Sequence, residues 1–306
     1  MRLFAYHDDA GFEALAVDLG ERLLPLDGWS LAALLEADDW RADIDRRMEI
    51  LAGARGIPKA SVRPAAPLPQ PGKIVCVGLN YGAHAAEGGR DAPTHPMLFA
   101  KFANAVVADG QPVVRPEGTD ALDLEVELGV VIGRRARRVP LESAMDHVAG
   151  YVVVNDISAR DWQGSPPALK PGQKGDGQWL RAKGSDTFLP MGPVFVTRDG
   201  LDPKTGVRLR SWRITSDGTE HLMQDSSTSD LIFDVPTLVS LISRAITLEP
   251  GDVIATGTPA GVGVFRDPPV FLEPGGRVRC EIEGIGWVEN PIIDWSDRPP
   301  DDEHDA

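Results

Sequence analysis

Between Lys73 and Pro291 the chain is cut into short Val- and Ile-rich runs, each stopped by Gly, Pro or Asp before it reaches the length of a stable helix. KIVCVGLN, PMLFAK, NAVVADG, LDLEVELGVVIG, AGYVVVNDIS, GPVFVT, RLRSWRITSDG, GDVIATGT and GRVRCEIEGIGWVENPI all read as strands. Helical spacing is rare among them; the clearest case is Val235 to Ile246, with Pro236 in the first turn and Leu238, Leu241, Ile242 and Ala245 on one stripe. Strands at short intervals without alternating helices argue against a doubly wound parallel sheet and predict a β-rich, mixed α+β fold. The first 66 residues differ: short strand candidates, Arg2–Tyr6 and Ala14–Asp18, precede helical patterns at Ser30–Glu36 and Trp40–Leu51. RPAAPLPQPGK, with four prolines and a glycine, sustains neither helix nor central strand, so the expected division is a small N-terminal domain at 1–66 and a catalytic domain at 67–296. The acidic, proline-bearing tail at 297–306 is expected to be disordered.

Charge narrows the function. With 31 basic against 46 acidic residues the formal net charge is −15, which argues against a phosphate backbone or an anionic membrane surface as partner. RRARR at Arg134–Arg138 follows a strand glycine in this acidic chain and reads as a solvated loop. Two cysteines, Cys76 and Cys280, make neither a disulfide framework nor a four-cysteine zinc site, and no stretch has the apolar length of a membrane span. These readings predict a cytoplasmic protein. GxGxxG, Walker, HExxH and GxSxG patterns are all missing, which leaves carboxylates as the reactive groups.

Glu125 and Glu127 stand two apart in LDLEVELGVVIG, so on a strand they share a face. The spacing alone fits a solvated acidic strand as well as a site for a hard cation such as Mg2+ or Mn2+. Gly129 to Ile132 is apolar on both faces, however, which takes the strand into the core and sets its acidic end at a cavity. Asp156 ends the buried run Val152–Val154 and offers a third oxygen ligand. A pair of strand carboxylates also fits a glycosidase, but Asp156 and Lys183 would then have no role.

Six segments occur in order: VGLNYGAHAAE, LEVELGVVIG, VVNDISARDWQ, WLRAKGSDTFLPMGP, QDSSTSDLIFDVPTLVSLIS and LEPGDVIATGTPAGVG. Together they closely resemble the fumarylacetoacetate hydrolase family over most of the chain. The resemblance implies a β-roll catalytic domain with a small N-terminal α/β domain, a divalent metal, Mg2+ or Mn2+, and a homodimer. It places the metal ligands on Glu125, Glu127 and Asp156, the substrate-binding groups on Arg160, Gln163 and Thr258, and the catalytic groups on His84, Glu87 and Lys183. Arg160 and Lys183 would offset the anionic excess of three carboxylates around a +2 ion. His84 and Glu87, three apart, meet on one face if Gly82–Gly88 is helical, and Gly88 and Gly89 would then let that turn act as a lid. The GTPAGVG turn offers backbone N–H groups to an anion, and the Pro/Gly-rich stretch Ser165–Gln178, beside the site, is expected to shape substrate choice.

The implied reaction is hydrolytic C–C cleavage of a 2,4-dioxo acid of the acylpyruvate or fumarylpyruvate type through a metal-stabilised enolate, with His84 activating water. Oxaloacetate decarboxylation and 2-hydroxyhepta-2,4-diene-1,7-dioate isomerisation use the same enolate and stand as the alternative. The expected partner is a small anionic 2-oxo acid, with neither nucleic acid nor membrane.

Overall fold

The computed structural model describes residues 1–298 apart from 27, 38, 172, 174 and 176. From residue 299 onward the acidic tail lies outside the described residues, while Trp295–Asp297 forms a 3-10 turn. A large open sheet runs through the protein in the order Ile57–Pro58, Arg22–Pro25, Glu13–Asp18, Arg2–His7, Val194–Thr197, Val148–Asn155, Val126–Ile132, Val253–Ala255, Ile74–Gly78 and Met97–Lys101. Most of its pairings are antiparallel; Val253–Ala255 and Ile74–Gly78 run parallel. A five-stranded sheet, led by the hairpin Arg208–Ile214 and Glu220–Ser227, packs beside it. The strand Glu220–Ser227 was not among those read from the sequence.

Alternate residues along the central strands enter different apolar clusters. Val152 and Val154 join one face, with the N-terminal helices; Tyr151 and Val153 join the other, with Leu238 and Ile242 of the helix Val235–Ala245 and with Cys280 of the second sheet. Burial on both faces explains why the central strands read as continuous apolar runs instead of alternating ones. Both cysteines are buried and unpaired by disulfide. The N-terminal strands do not form a sheet of their own: Leu3 lies opposite Phe195 in an antiparallel pair, so the first strand extends the catalytic sheet.

Local signals explain the helices. Ser30 caps Leu31–Leu35 by accepting the Ala33 N–H, and Asp39 caps Trp40–Ile50 through the Ala42 N–H. Among the described residues no helix is long and apolar enough to cross a membrane. Four arginines of RRARR, at 134, 135, 137 and 138, are exposed, as a solvated loop requires.

Candidate metal centre and acid–base site

Sheet register builds the carboxylate cluster. Val126 pairs with Asn155 and Glu127 with Val154, so Asp156 falls opposite Glu125 just where the two strands end. The Asp156 N–H donates to the Glu125 carbonyl at 2.9 Å, and the Glu125 N–H to Asn155 Oδ1 at 2.9 Å, which locks that end. Glu125, Glu127 and Asp156 are buried, and each offers an oxygen within 4.8 Å of the others'.

Three cations sit around them. Lys183 Nζ lies 2.8 Å from both Glu125 Oε2 and Asp156 Oδ2. Arg160 pairs through Nη2 with Glu125 Oε1 at 2.6 Å and through Nε with Asp123 Oδ2 at 2.9 Å. Its Nη1 donates to Gln163 Oε1 at 3.1 Å, made possible by the short helix Arg160–Gln163. Lys101 Nζ lies 2.7 Å from Asp156 Oδ1. Burial alone would push the Glu125 carboxyl up, but Lys183 and Arg160 outweigh it and hold the group far below the usual carboxylate range. Glu127 goes the other way: burial first, then the charges of Asp156 and Glu125, raise it well above its ordinary value. Lys183 loses basicity to burial, yet Asp156 and Glu125 leave it raised overall.

The helix Gly82–Glu87 brings His84 Nδ1 to 2.7 Å from Glu87 Oε1, the contact that the three-residue spacing predicts. Glu87 Oε2 in turn accepts the Gly261 N–H at 2.9 Å, and the His84 ring tilts over Phe265 with centroids 6.0 Å apart. The helix is therefore docked over the site. One cavity brings together His84, Glu125, Glu127, Arg160, Gln163, Lys183 and Thr258. Phe99, Trp179 and Phe265 supply its apolar wall, and Ser165 and Pro166 at the start of the Pro/Gly-rich loop reach its rim. Asp156 lies beneath the cavity and Glu87 behind His84, so neither lines it.

The GTPAGVG turn is a nest of N–H donors, but for the protein's own carboxylates. Gly257 donates to Glu127 Oε2 at 2.8 Å, Gly261 to Glu87, and Gly263 and Val264 to Asp123 at 2.8 and 3.0 Å. Thr258 Oγ1 donates to the Val126 carbonyl at 3.0 Å and accepts from Gln224 at 2.7 Å, so its hydroxyl hydrogen is already engaged. It presents a substrate with a lone pair, which does not favour the expected contact to a carboxylate. Asn80, beside the helix, is a structural cross-link that donates to the Thr256 and Phe233 carbonyls.

Two members of the cluster escaped sequence reasoning. Asp123 continues the period-two series of Glu125 and Glu127 and could have been found by it. Lys101 ends an apolar strand and carries no local signal of burial.

The profile of the fumarylacetoacetate (FAA) hydrolase C-terminal domain matches residues 73–293, well over half of the chain. The chain belongs to the fumarylacetoacetate hydrolase family. Members of this family that resemble it include the mitochondrial oxaloacetate tautomerase of Xenopus laevis, 42% identical over 235 residues, which cover 77% of this chain and 70% of the relative. Among solved structures, 5-carboxymethyl-2-hydroxymuconate delta-isomerase from Mycobacterium smegmatis is 36% identical with a TM-score of 0.72, covering 96% of this chain and 99% of the other. The 2-hydroxyhepta-2,4-diene-1,7-dioate isomerase from Mycobacterium marinum is 34% identical with a TM-score of 0.70, again over 96% and 99%. This is an enzyme family, and these three members are named as a tautomerase and two isomerases. The name of the Xenopus relative places it in mitochondria and lends no support to the cytoplasmic expectation.

Proposed function

We propose that this protein relocates a proton on a small 2-oxo acid, as a keto–enol tautomerase or double-bond isomerase, with Mg2+ or Mn2+ held by Glu125, Glu127 and Asp156. The observation that carries this reading is the convergence of a His–carboxylate pair and a buried carboxylate trio on one cavity. The trio suits a hard divalent ion. Its donors are all oxygens within 4.8 Å of one another, and Lys183, which bridges Glu125 Oε2 and Asp156 Oδ2, lines the cavity and can give way to an ion. When bound, the cation supplies Lewis-acid polarisation of the substrate's oxygens.

The chain's own residues divide the remaining work. Arg160 and Gln163 face the cavity with a planar guanidinium and an amide, suited to orienting the substrate carboxylate. Lys183 supplies a point charge next to the oxygen on which negative charge develops. Glu87, once ionised, only accepts hydrogen bonds, so it selects the Nδ1–H form of His84 and leaves Nε2 with a free lone pair. His84 Nε2 takes the proton from the carbon next to the 2-oxo group; the C–H electrons become the C=C bond, and the proton returns to oxygen for the enol or to a further carbon for the isomer. Phe99, Trp179 and Phe265 keep bulk water from intercepting it.

Hydrolysis of a 2,4-dioxo acid would use the same groups but needs a water at C4, and the Xenopus tautomerase and the mycobacterial isomerases support proton relocation. The test is to follow enol–keto conversion of oxaloacetate, its loss of CO2, and cleavage of an acylpyruvate, with wild type and His84→Ala in the presence of Mg2+. Conversion should be the fastest of the three, and the variant should lose about 10²–10⁴ in that rate while still binding substrate. Faster acylpyruvate cleavage or CO2 release in the wild type would replace this reading.

A further inference from the structure

Lys101 is 2% exposed, with an ammonium fully shut off from solvent. Its Nζ donates to the carbonyls of Ile157 at 3.0 Å, Phe188 at 2.8 Å and Lys183. Only a protonated amine has three N–H bonds to give. The ammonium also faces Asp156 Oδ1 at 2.7 Å, so the three carbonyls and one carboxylate oxygen enclose it.

The acceptors belong to the segments that carry the site. Ile157 follows Asp156 and leads through Ser158–Ala159 to Arg160. The second carbonyl is that of Lys183 itself, whose own ammonium bridges Glu125 and Asp156. Phe188 precedes the strand Leu189–Met191, in which Met191 pairs with Val154. A single buried nitrogen thus ties its own strand to two stretches distant from it in sequence, at Ile157 and at Lys183–Phe188.

We propose that Lys101 is a positioning residue of the cation site: it fixes Asp156 and Lys183 relative to each other and is the permanent counter-ion of Asp156, while Lys183 is the exchangeable one. Asp156 has an ammonium at each oxygen, Lys101 at Oδ1 and Lys183 at Oδ2. The two are not equivalent. Lys183 lines the cavity, where it can exchange partners with an incoming cation or substrate, whereas Lys101 is enclosed by backbone carbonyls and has nowhere to move. If charge alone mattered, removing Lys101 would strengthen the attraction of the trio for a cation. If position dominates, removal weakens binding, because Asp156 and the Lys183 backbone lose their common anchor.

The inference rests on reading Glu125, Glu127 and Asp156 as cation ligands, and calorimetric titration of Mn2+ separates the two. Wild type should bind one Mn2+, Lys101→Met should bind it about 10- to 100-fold more weakly, and Lys183→Met should bind it as tightly as wild type or more so. No binding by wild type would overturn the cation reading itself. Wild-type binding with equal or tighter affinity in Lys101→Met would overturn the positioning role alone, and weaker binding in Lys183→Met would overturn its part as the exchangeable ion. Crystals of wild type grown with and without Mn2+ give a check that needs no variant to fold. Lys101 should keep its three carbonyls in both, while Lys183 Nζ leaves Asp156 in the Mn2+ form; a change of partners by Lys101 would overturn the proposal.

Discussion

Glu127 is the carboxylate of the trio with the weakest cationic support: Lys183 and Arg160 contact Glu125, Lys183 and Lys101 contact Asp156, and Glu127 has the Gly257 N–H. Burial first, and then the charges of Asp156 and Glu125 with no cation between them, raise its carboxyl. Glu127→Gln keeps an oxygen for Gly257 and can no longer ionise. The variant is expected to melt no lower than cation-free wild type, and to lose the rise in Tm that Mn2+ produces in wild type. At a concentration one hundred times Kd that rise corresponds to about 2.7 kcal/mol. Thermal denaturation with and without Mn2+ measures both, and an undiminished Mn2+ shift in the variant would remove Glu127 from the ligand set. The three acids were legible because period two on a strand and a charge at the end of a buried run are local patterns. Lys101 was not, because its burial depends on carbonyls at positions 157, 183 and 188, and a lysine ending MLFAK reads as solvated.

At the scale of elements, the turn between Thr256 and Gly263 does the most to assemble the site, since its N–H groups hold Glu127, Glu87 and Asp123. Gly261 adopts φ +105°, and a Cβ there would come within 2.3 Å of the Met223 carbonyl oxygen. Gly261→Ala therefore shifts the turn and withdraws the N–H that anchors Glu87, leaving His84 without its fixed partner. The proton-transfer rate is expected to fall on the order of 10²-fold, the cost of about 1 Å of misplacement. Mn2+ binding at the trio should persist, because Gly257 still holds Glu127. An unchanged rate, or loss of both properties together, would show that the turn does not act through Glu87. The helices Leu31–Leu35, Trp40–Ile50 and Val235–Ala245 were legible as helical patterns, whereas Gly82–Glu87, which has no capping side chain, entered the sequence reading only as a condition. The purpose of the turn was not: the glycines announce a nest, but which anion fills it is decided by strands more than a hundred residues away.

At the scale of the molecule, the sequence places a boundary near residue 66, while the hydrogen bonding crosses it. Arg2, Leu3 and Phe4 pair with Val196, Phe195 and Val194, nearly two hundred positions along the chain, a pairing that no local pattern records. Leu3 enters the core on one face of the sheet and Phe4 on the other. A chain beginning at residue 67 would expose the strand Val194–Thr197 as a sheet edge and uncover Val194, Phe195 and Val196, all buried here. Each such side chain contributes about 1.5–3 kcal/mol when fully buried, and a domain has only about 5–15 kcal/mol of net stability. An open apolar edge also invites pairing with other chains. The same strand sits beside Val148–Asn155, which carries Asp156 at its end, so fraying there reaches the cation site. Deletion of residues 1–66 is expected to yield aggregated or poorly folded protein with weakened Mn2+ binding, measured by size-exclusion chromatography, thermal denaturation and calorimetry. A soluble product with wild-type Tm and Mn2+ affinity would establish instead that the first 66 residues are a dispensable module, and that the catalytic sheet tolerates Val194–Thr197 as its edge.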